Sequence, residues 1–190
     1  MNRIVQIVNA IEGYDPDALH VDKARAAIRA CLVPVTATER LPVRATLGRV
    51  LAEDIIPAID VPGHDNTAMD GYAVRFADLE AGSTVLEEIG AALAGKSFAG
   101  RLGPRQCVRV TTGAVMPAGA DTVVVQEVVK VQGTMVTVPP GQTKAQNVRY
   151  EGEDLKRGVP VLHPGKALGA AELGLIASLG IGEVRVKRRL

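Results

Sequence analysis

The polar residues of this chain gather in three short clusters. The densest is Asp65-Asn66-Thr67-Ala68-Met69-Asp70-Gly71, which follows Pro62-Gly63-His64 and runs straight into Tyr72-Ala73-Val74-Arg75. Two carboxylates this close in one loop can face one ligand, and hard cations such as Mg2+ take such oxygens. The same residues also suit Asx-turns, in which Asp and Asn bond their own backbone and Gly71 fills a special backbone angle. A calcium loop is excluded, because Asp and Asn do not alternate along the stretch and no Glu closes it. The second cluster is Thr111-Thr112-Gly113, at the end of an apolar run. Its hydroxyls and backbone N–H groups could seat an oxyanion, or form a plain turn. The third runs from Asn147 to Asp154 and holds Arg149, Glu151, Glu153 and Asp154. Such a run usually means a solvated loop, although the planar fork of Arg149 suits a phosphate or another oxyanion.

Other motifs carry less. His20, His64 and His163 each stand alone, with no second His or Cys at ligand spacing, so each reads as a surface or structural residue. Gly90-Ala91-Ala92-Leu93-Ala94-Gly95-Lys96-Ser97 spells the phosphate-binding P-loop pattern. That pattern needs a helix behind it, whose first N–H groups wrap the phosphate. Gly100, Gly103 and Pro104 break any helix there, so the stretch reads as a Gly-rich loop.

The elements that must position these clusters are mostly strands. A short helix is expected around Ile4, Val5, Ile7, Val8 and Ile11, before Gly13. A clearer one opens at Asp22, with Ala24, Ala27, Ile28, Cys31 and Leu32 at helical spacing and Pro34 as its stop. Leu41-Pro42-Val43 reads as a strand and Thr46 to Ala52 as a helical turn or two. Ile55 to Val61 is extended, given Pro57 and Pro62. Strands are expected at Asp70–Arg75, Val85–Ile89, Cys107–Val110, Thr122–Val129, Thr134–Val138 and Val159–Leu162, each rich in Val or Ile between Gly and Pro. Gln132-Gly133 suits a hairpin turn. Ala170 to Leu179 reads as a helix closed by Gly180, and Glu183 to Lys187 as a last strand. The expected fold is mainly β with some α: a small β-barrel or sandwich, flanked by a mixed α/β segment. A helix, turn and strand at the very end normally pack onto something further on, which suggests a piece of a longer protein.

Composition narrows the function. The chain has 190 residues, 47% hydrophobic and 23% charged, which places it among globular proteins rather than disordered ones. Lys+Arg number 22 against 21 Asp+Glu, and aromatics are 3% with no Trp. That argues against nucleic-acid binding, which favours a basic excess and stacking platforms. Cys31 and Cys107 are far apart, so neither a disulfide scaffold nor a cysteine zinc site is indicated, and a reducing compartment is. No apolar run is long enough to span a bilayer, and no basic-then-apolar leader is evident. The expectation is a cytoplasmic protein with no membrane partner.

Taken together, these residues resemble one family. Leu47-Gly48-Arg49-Val50-Leu51-Ala52-Glu53-Asp54, then Asp60-Val61-Pro62 with Asp65 through Arg75, is similar to the signature of the MoeA family, the molybdopterin molybdenumtransferases. Thr112-Gly113-Ala114 with Pro117 and Val124-Val125-Gln126-Glu127 resembles its next block. Arg149 with Gly152-Glu153-Asp154 resembles the third, and Ala177-Ser178-Leu179-Gly180-Ile181 the helix end before its cofactor-binding domain. The resemblance runs from about residue 22 to the end. It implies a discontinuous layout: 1–54 and 149–190 form a flanking domain, 55–148 are inserted as a β-rich domain, and a cofactor-binding domain is expected after 190. It also implies molybdenum cofactor synthesis: molybdate enters adenylylated molybdopterin, AMP leaves, and a divalent cation, Mg2+, assists. On the resemblance, Asp65, Thr112 and Asp154 are catalytic positions. Asp65 and Asp154 would hold the metal or its water, and Thr112 and Arg149 would contact oxyanions, Arg149 as a substrate-binding residue. The three catalytic positions are expected to share one cleft. A homodimer is implied, with molybdopterin adenylyltransferase as upstream partner; the fragment alone is expected to be inactive. The competing implication is a non-catalytic scaffold of the gephyrin type.

Overall fold

The structure, a computed structural model, describes residues 20–189. The short helix expected around Ile4 to Ile11 lies outside the described residues. Among the described residues α1 spans Val21–Cys31 and α2 Ala170–Ser178. The strands are β1 Thr38–Pro42, β2 Asn66–Thr67, β3 Gly71–Val74, β4 Thr84–Ala92, β5 Gln106–Val110, β6 Thr122–Val125, β7 Lys130–Gln132, β8 Met135–Val138, β9 Val148–Arg149 and β10 Glu183–Lys187. The fold is mainly β with some α.

Six strands make the inner sheet, in the order β6-β3-β5-β4-β8-β7. All neighbours are antiparallel except β4 and β5. Side chains alternate across a strand, and both faces of this sheet are covered. Tyr72, Val74, Leu86, Cys107, Val124, Val136 and Val138 fill one side. Ala73, Ala92, Leu102, Val108, Val110, Ala114 and Val123 fill the other. Burial on both faces explains why β3 and β6 read as nearly continuous apolar runs rather than as alternating ones, while β5 keeps Arg109 exposed. Gly71 opens β3 because nothing larger fits: a Cβ there would lie 2.1 Å from the carbonyl oxygen of Val124.

A second core is built from the chain on either side of that sheet. Val43, Leu51, Ile55, Leu168, Ile176, Val184 and Val186 pack together, with Leu41, Val161 and Leu162 against them. β1 and β10 form its ribbon, Thr38 opposite Lys187 and Pro42 opposite Glu183. Arg49 is buried beside the ribbon, where Nη2 donates to the Lys187 carbonyl at 2.7 Å and to Glu39 Oε1. α2 ends in a Schellman turn: Gly180, at φ +74°, donates to Ala177 O at 2.9 Å, and Ile181 donates to Ile176 O at 3.3 Å.

Several local expectations change. Thr46 to Ala52 is not helical; a single 3-10 turn occupies Val43–Ala45. The backbone of Leu51 instead donates to Lys166 O and accepts from Gly165 N, both at 2.8 Å, and Ala52 donates to Arg185 O. Those long-range bonds replace the local helical ones. Val159 to Leu162 is not a strand; Leu162 makes one isolated bridge, to Ile55. The expected Thr122–Val129 strand stops at Val125, where a 3-10 turn over Gln126–Val128 redirects the chain into β7. The hairpin turn is Gly133-Thr134, one residue later than expected, since Gln132 faces Met135. The P-loop lookalike is a tight turn: Leu93 and Lys96 exchange two backbone bonds at 2.9 Å, and no helix follows.

Candidate functional site

The two-residue strand β2 is the node of the site. On one side it pairs with β9, Asn66 opposite Arg149 and Thr67 opposite Val148. On the other it meets the Thr111 to Met116 segment. Asn66 bridges Val115, Gly113 N donates to Thr67 O at 2.8 Å, and Met116 N donates to Asp65 O at 3.0 Å. The Thr67 hydroxyl, buried, donates to Thr111 O at 2.6 Å. The three polar clusters, far apart in sequence, are therefore stitched to one another by backbone pairing.

The side chains then find separate partners. Asp65 is exposed, and its Oδ1 accepts the Glu151 N–H at 2.9 Å. Thr112 is exposed, and both its N–H and its hydroxyl donate to Asp70 Oδ1, at 2.7 and 2.8 Å. The Thr112 N–H first, and its hydroxyl second, hold the Asp70 carboxyl below its ordinary value. Arg149 is gripped by two carboxylates: Nε donates to Glu153 Oε1 and Nη2 to Asp154 Oδ2, each at 2.6 Å. Glu153 also accepts the Tyr150 N–H at 2.8 Å, which with Arg149 holds its carboxyl low. The same two carboxylates, Glu153 ahead of Asp154, raise the Arg149 guanidinium above its usual range.

This geometry constrains the chemistry. The Arg149, Glu153 and Asp154 group is net negative, and the carboxylates occupy Nε and one Nη2 N–H, so an incoming anion meets the remaining Nη1 side of the guanidinium. Asp65 keeps Oδ2 without a protein partner among the described residues. Among the described residues no group of three or more His, Cys, Asp or Glu could hold a metal ion. Mg2+ takes octahedral oxygen coordination. Asp65 and Asp154 alone, with Asp154 bound to Arg149, do not complete such a set.

Sequence reasoning passed over the surroundings of Asp65. An open cavity of about 540 Å³ beside it is lined by Ile59, Asp60, Val61, Gly63, His64, Glu151 and Arg157. Asp60 Oδ1 accepts the Arg157 N–H at 2.9 Å and lies against Gly152, which fixes the far wall. No motif marks this group, because its members come from two separate segments. A larger cavity of about 690 Å³ lies between Pro42, Val43 and α2 and has no carboxylate in its lining. His163 holds Asp54 at 2.8 Å and His20 accepts the Asp22 N–H at 3.3 Å, each a local tie.

The family model for the MoeA N-terminal region, domains I and II, matches residues 19–180. A molybdopterin molybdenumtransferase of Haemophilus influenzae is 42% identical over 174 residues, covering 90% of this chain and 43% of that protein. One from Nostoc is 35% identical over 156 residues, covering 80% and 36%. A crystal structure of the molybdopterin biosynthesis moeA protein from Pyrococcus horikoshii superposes with a TM-score of 0.75 at 37% identity. That superposition covers 80% of this chain and 41% of the other. The chain thus spans less than half the length of the curated relatives it matches. With the match reaching from residue 19 to residue 180 and the same fold in solved relatives, the chain belongs to the MoeA family, as that family's N-terminal region.

Proposed function

We propose that this chain is the N-terminal part of a molybdopterin molybdenumtransferase and works in molybdenum cofactor biosynthesis. The observation that carries the reading is the β2 node, which joins the Asp65, Thr112 and Arg149–Asp154 segments across the fold. The names of its relatives point the same way. The flanking core and the inserted six-stranded sheet serve as two domains, and the node lies where their segments meet. Ile55 packs with the flanking core, so the change of domain falls just after it.

In this reading molybdate and adenylylated molybdopterin are the substrates and AMP is released. Asp65 offers its open oxygen to the reacting groups. Arg149, oriented by Glu153 and Asp154, offers its remaining Nη1 N–H groups to an oxyanion. Thr112 is presented to the substrate by Asp70. The remaining ligands of any Mg2+ come from outside this chain's described residues, either from later sequence or from a second subunit of a homodimer. The substrate is the product of a molybdopterin adenylyltransferase, and the setting is the cytoplasm.

The test is reconstitution of an apo-molybdoenzyme with adenylylated molybdopterin, molybdate and Mg2+, using the full-length protein that contains this region. Metal insertion that is lost in the full-length Asp65→Asn variant supports the reading. A full-length protein without insertion activity overturns it in favour of a scaffold.

A further inference from the structure

The hydrogen atoms around Thr112 have a definite distribution. Its N–H and its hydroxyl both point to the same oxygen, Asp70 Oδ1. An ionised carboxylate only accepts, and the Asp70 carboxyl is held below its ordinary value, so it is ionised at neutral pH. The proton on the 2.8 Å line is therefore the threonine's own. What Thr112 has left for a ligand is its hydroxyl lone pairs, on an exposed oxygen with a negative charge behind it.

Asp70 takes the Thr112 N–H but is not the only tie on the Thr111–Ala114 turn. That turn is closed by Ala114 N to Thr111 O at 2.9 Å and tied to β2 by Gly113 N to Thr67 O. The Thr67 hydroxyl anchors it again at Thr111 O. Asp70 itself sits just before β3, where its carbonyl accepts from Gln126 N at 3.2 Å. The residue before β3 thus aims a carboxylate at a turn that is also held by other bonds.

We propose that Asp70 is a positioning residue that sets Thr112 as a hydrogen-bond acceptor, so that Thr112 selects an N–H or O–H donor of the organic substrate rather than a bare oxyanion. This rests on the reading of Thr112 as a site residue, and it reverses the oxyanion contact expected from the sequence. A free oxyanion meets two acceptors and a charge of its own sign at this point, whereas a donor meets a lone pair whose basicity the carboxylate raises.

A double-mutant cycle in the full-length protein, read as metal-insertion kinetics, tests it. Thr112→Val removes the hydroxyl at nearly constant size, and Asp70→Asn keeps the size while removing the charge. Each is expected to lower kcat/KM about tenfold, the scale of one lost hydrogen bond. Thr112→Ser, which keeps the hydroxyl, is expected to restore most of it. Asp70→Asn should then cost nothing more in the Thr112→Val background. Thr112→Val at the wild-type rate overturns the placement of Thr112 in the site, and the proposal with it. An impaired Thr112→Val with an additive Asp70→Asn loss overturns the proposal alone. If Asp70→Asn does not fold, NMR of the unsubstituted full-length protein decides. The Thr112 amide proton must shift with acid as Asp70 titrates, at a pH below the ordinary carboxyl range, and a Thr112 amide indifferent to that titration overturns the proposal.

Discussion

Asp65 Oδ1 accepts the backbone N–H of Glu151 at 2.9 Å, across 86 residues of chain. That bond ties the signature loop to the acidic third cluster and leaves the other carboxylate oxygen facing outward. Asp65→Asn keeps an oxygen for Glu151 but removes the charge. The full-length variant is expected to retain its fold and thermal midpoint while losing about 10²–10³ in insertion rate, the size of one electrostatic contact to reacting groups. Wild-type turnover would remove Asp65 from the site.

The 190-residue chain alone is expected to support no metal insertion in the same reconstitution assay. The site's acceptors and Arg149 do not by themselves hold an oxyanion, a pterin and a cation in reacting geometry, and loss of positioning removes many orders of magnitude in rate. Full activity from this chain would show that the site is complete within it.

Gly71→Ala is expected to be far more damaging than a Gly→Ala change in an open loop such as Gly82. A Cβ 2.1 Å from the Val124 carbonyl oxygen must push β3 and β6 apart. Overpacking costs about 1–3 kcal/mol where side chains can yield, and here the neighbour is backbone. Urea denaturation should show a large fall in midpoint, or no soluble folded protein. An unchanged midpoint would contradict the packing described for β3.

Stability is expected to fall in acid. Asp70, Glu153 and Glu172 are all held below their ordinary carboxyl values, by Thr112, by the Tyr150 N–H with Arg149, and by Lys166 with the Gly169 N–H. A depressed folded value means the unfolded chain takes up protons first. Their contribution is therefore complete above the ordinary carboxyl range of the unfolded chain, and is lost as pH falls through the lower folded values. Urea midpoints measured from neutral pH down to about pH 3 should decline, and Asp70→Asn should flatten the decline. An identical slope in the variant would show that Asp70 is not coupled to folding.

The two cysteines should separate by reactivity. Cys107 is buried in β5, and burial first, with Glu88 second, pushes its thiol up to about 12. Cys31 is partly exposed at the end of α1. A thiol reagent at neutral pH should label one cysteine in the folded chain and both in denaturant. Rapid labelling of Cys107 in the native state would contradict the packing around it.

The sequence made the strong elements legible and left the weak ones hidden. β3, β5, β6, β8, β10 and α2 announce themselves because Val and Ile runs, or Leu173, Ile176 and Leu179, bury large apolar faces. β2 and β9 could not be read that way. Each has two residues, and each exists because the other is beside it. The same limit hid the extended path of Thr46 to Ala52, whose hydrogen-bond partners, Gly165, Lys166 and Arg185, lie at the far end of the chain. Within the site, Asp65, Thr112, Arg149 and Asp154 were visible as residues. Their partners were not, because a donor's acceptor is set by tertiary distance. Only the structure shows that Thr112 faces Asp70 and that Arg149 is already gripped twice.

The β1–β10 ribbon joins the start of the described fold to its end. During synthesis this orders events. The six-stranded sheet has every strand it needs once β8 has emerged, and it can close as a unit while later residues are still being made. The flanking core cannot, because Leu51 and Ile55 wait for Leu168, Ile176, Val184 and Val186. Holding open so long a loop is inexpensive at equilibrium, since each doubling of loop length costs only about 0.6 kcal/mol. The cost falls in time instead: for that interval Leu51 and Ile55 are bare apolar surface on a nascent chain, and a truncation just before β10 would still deny them Val184 and Val186.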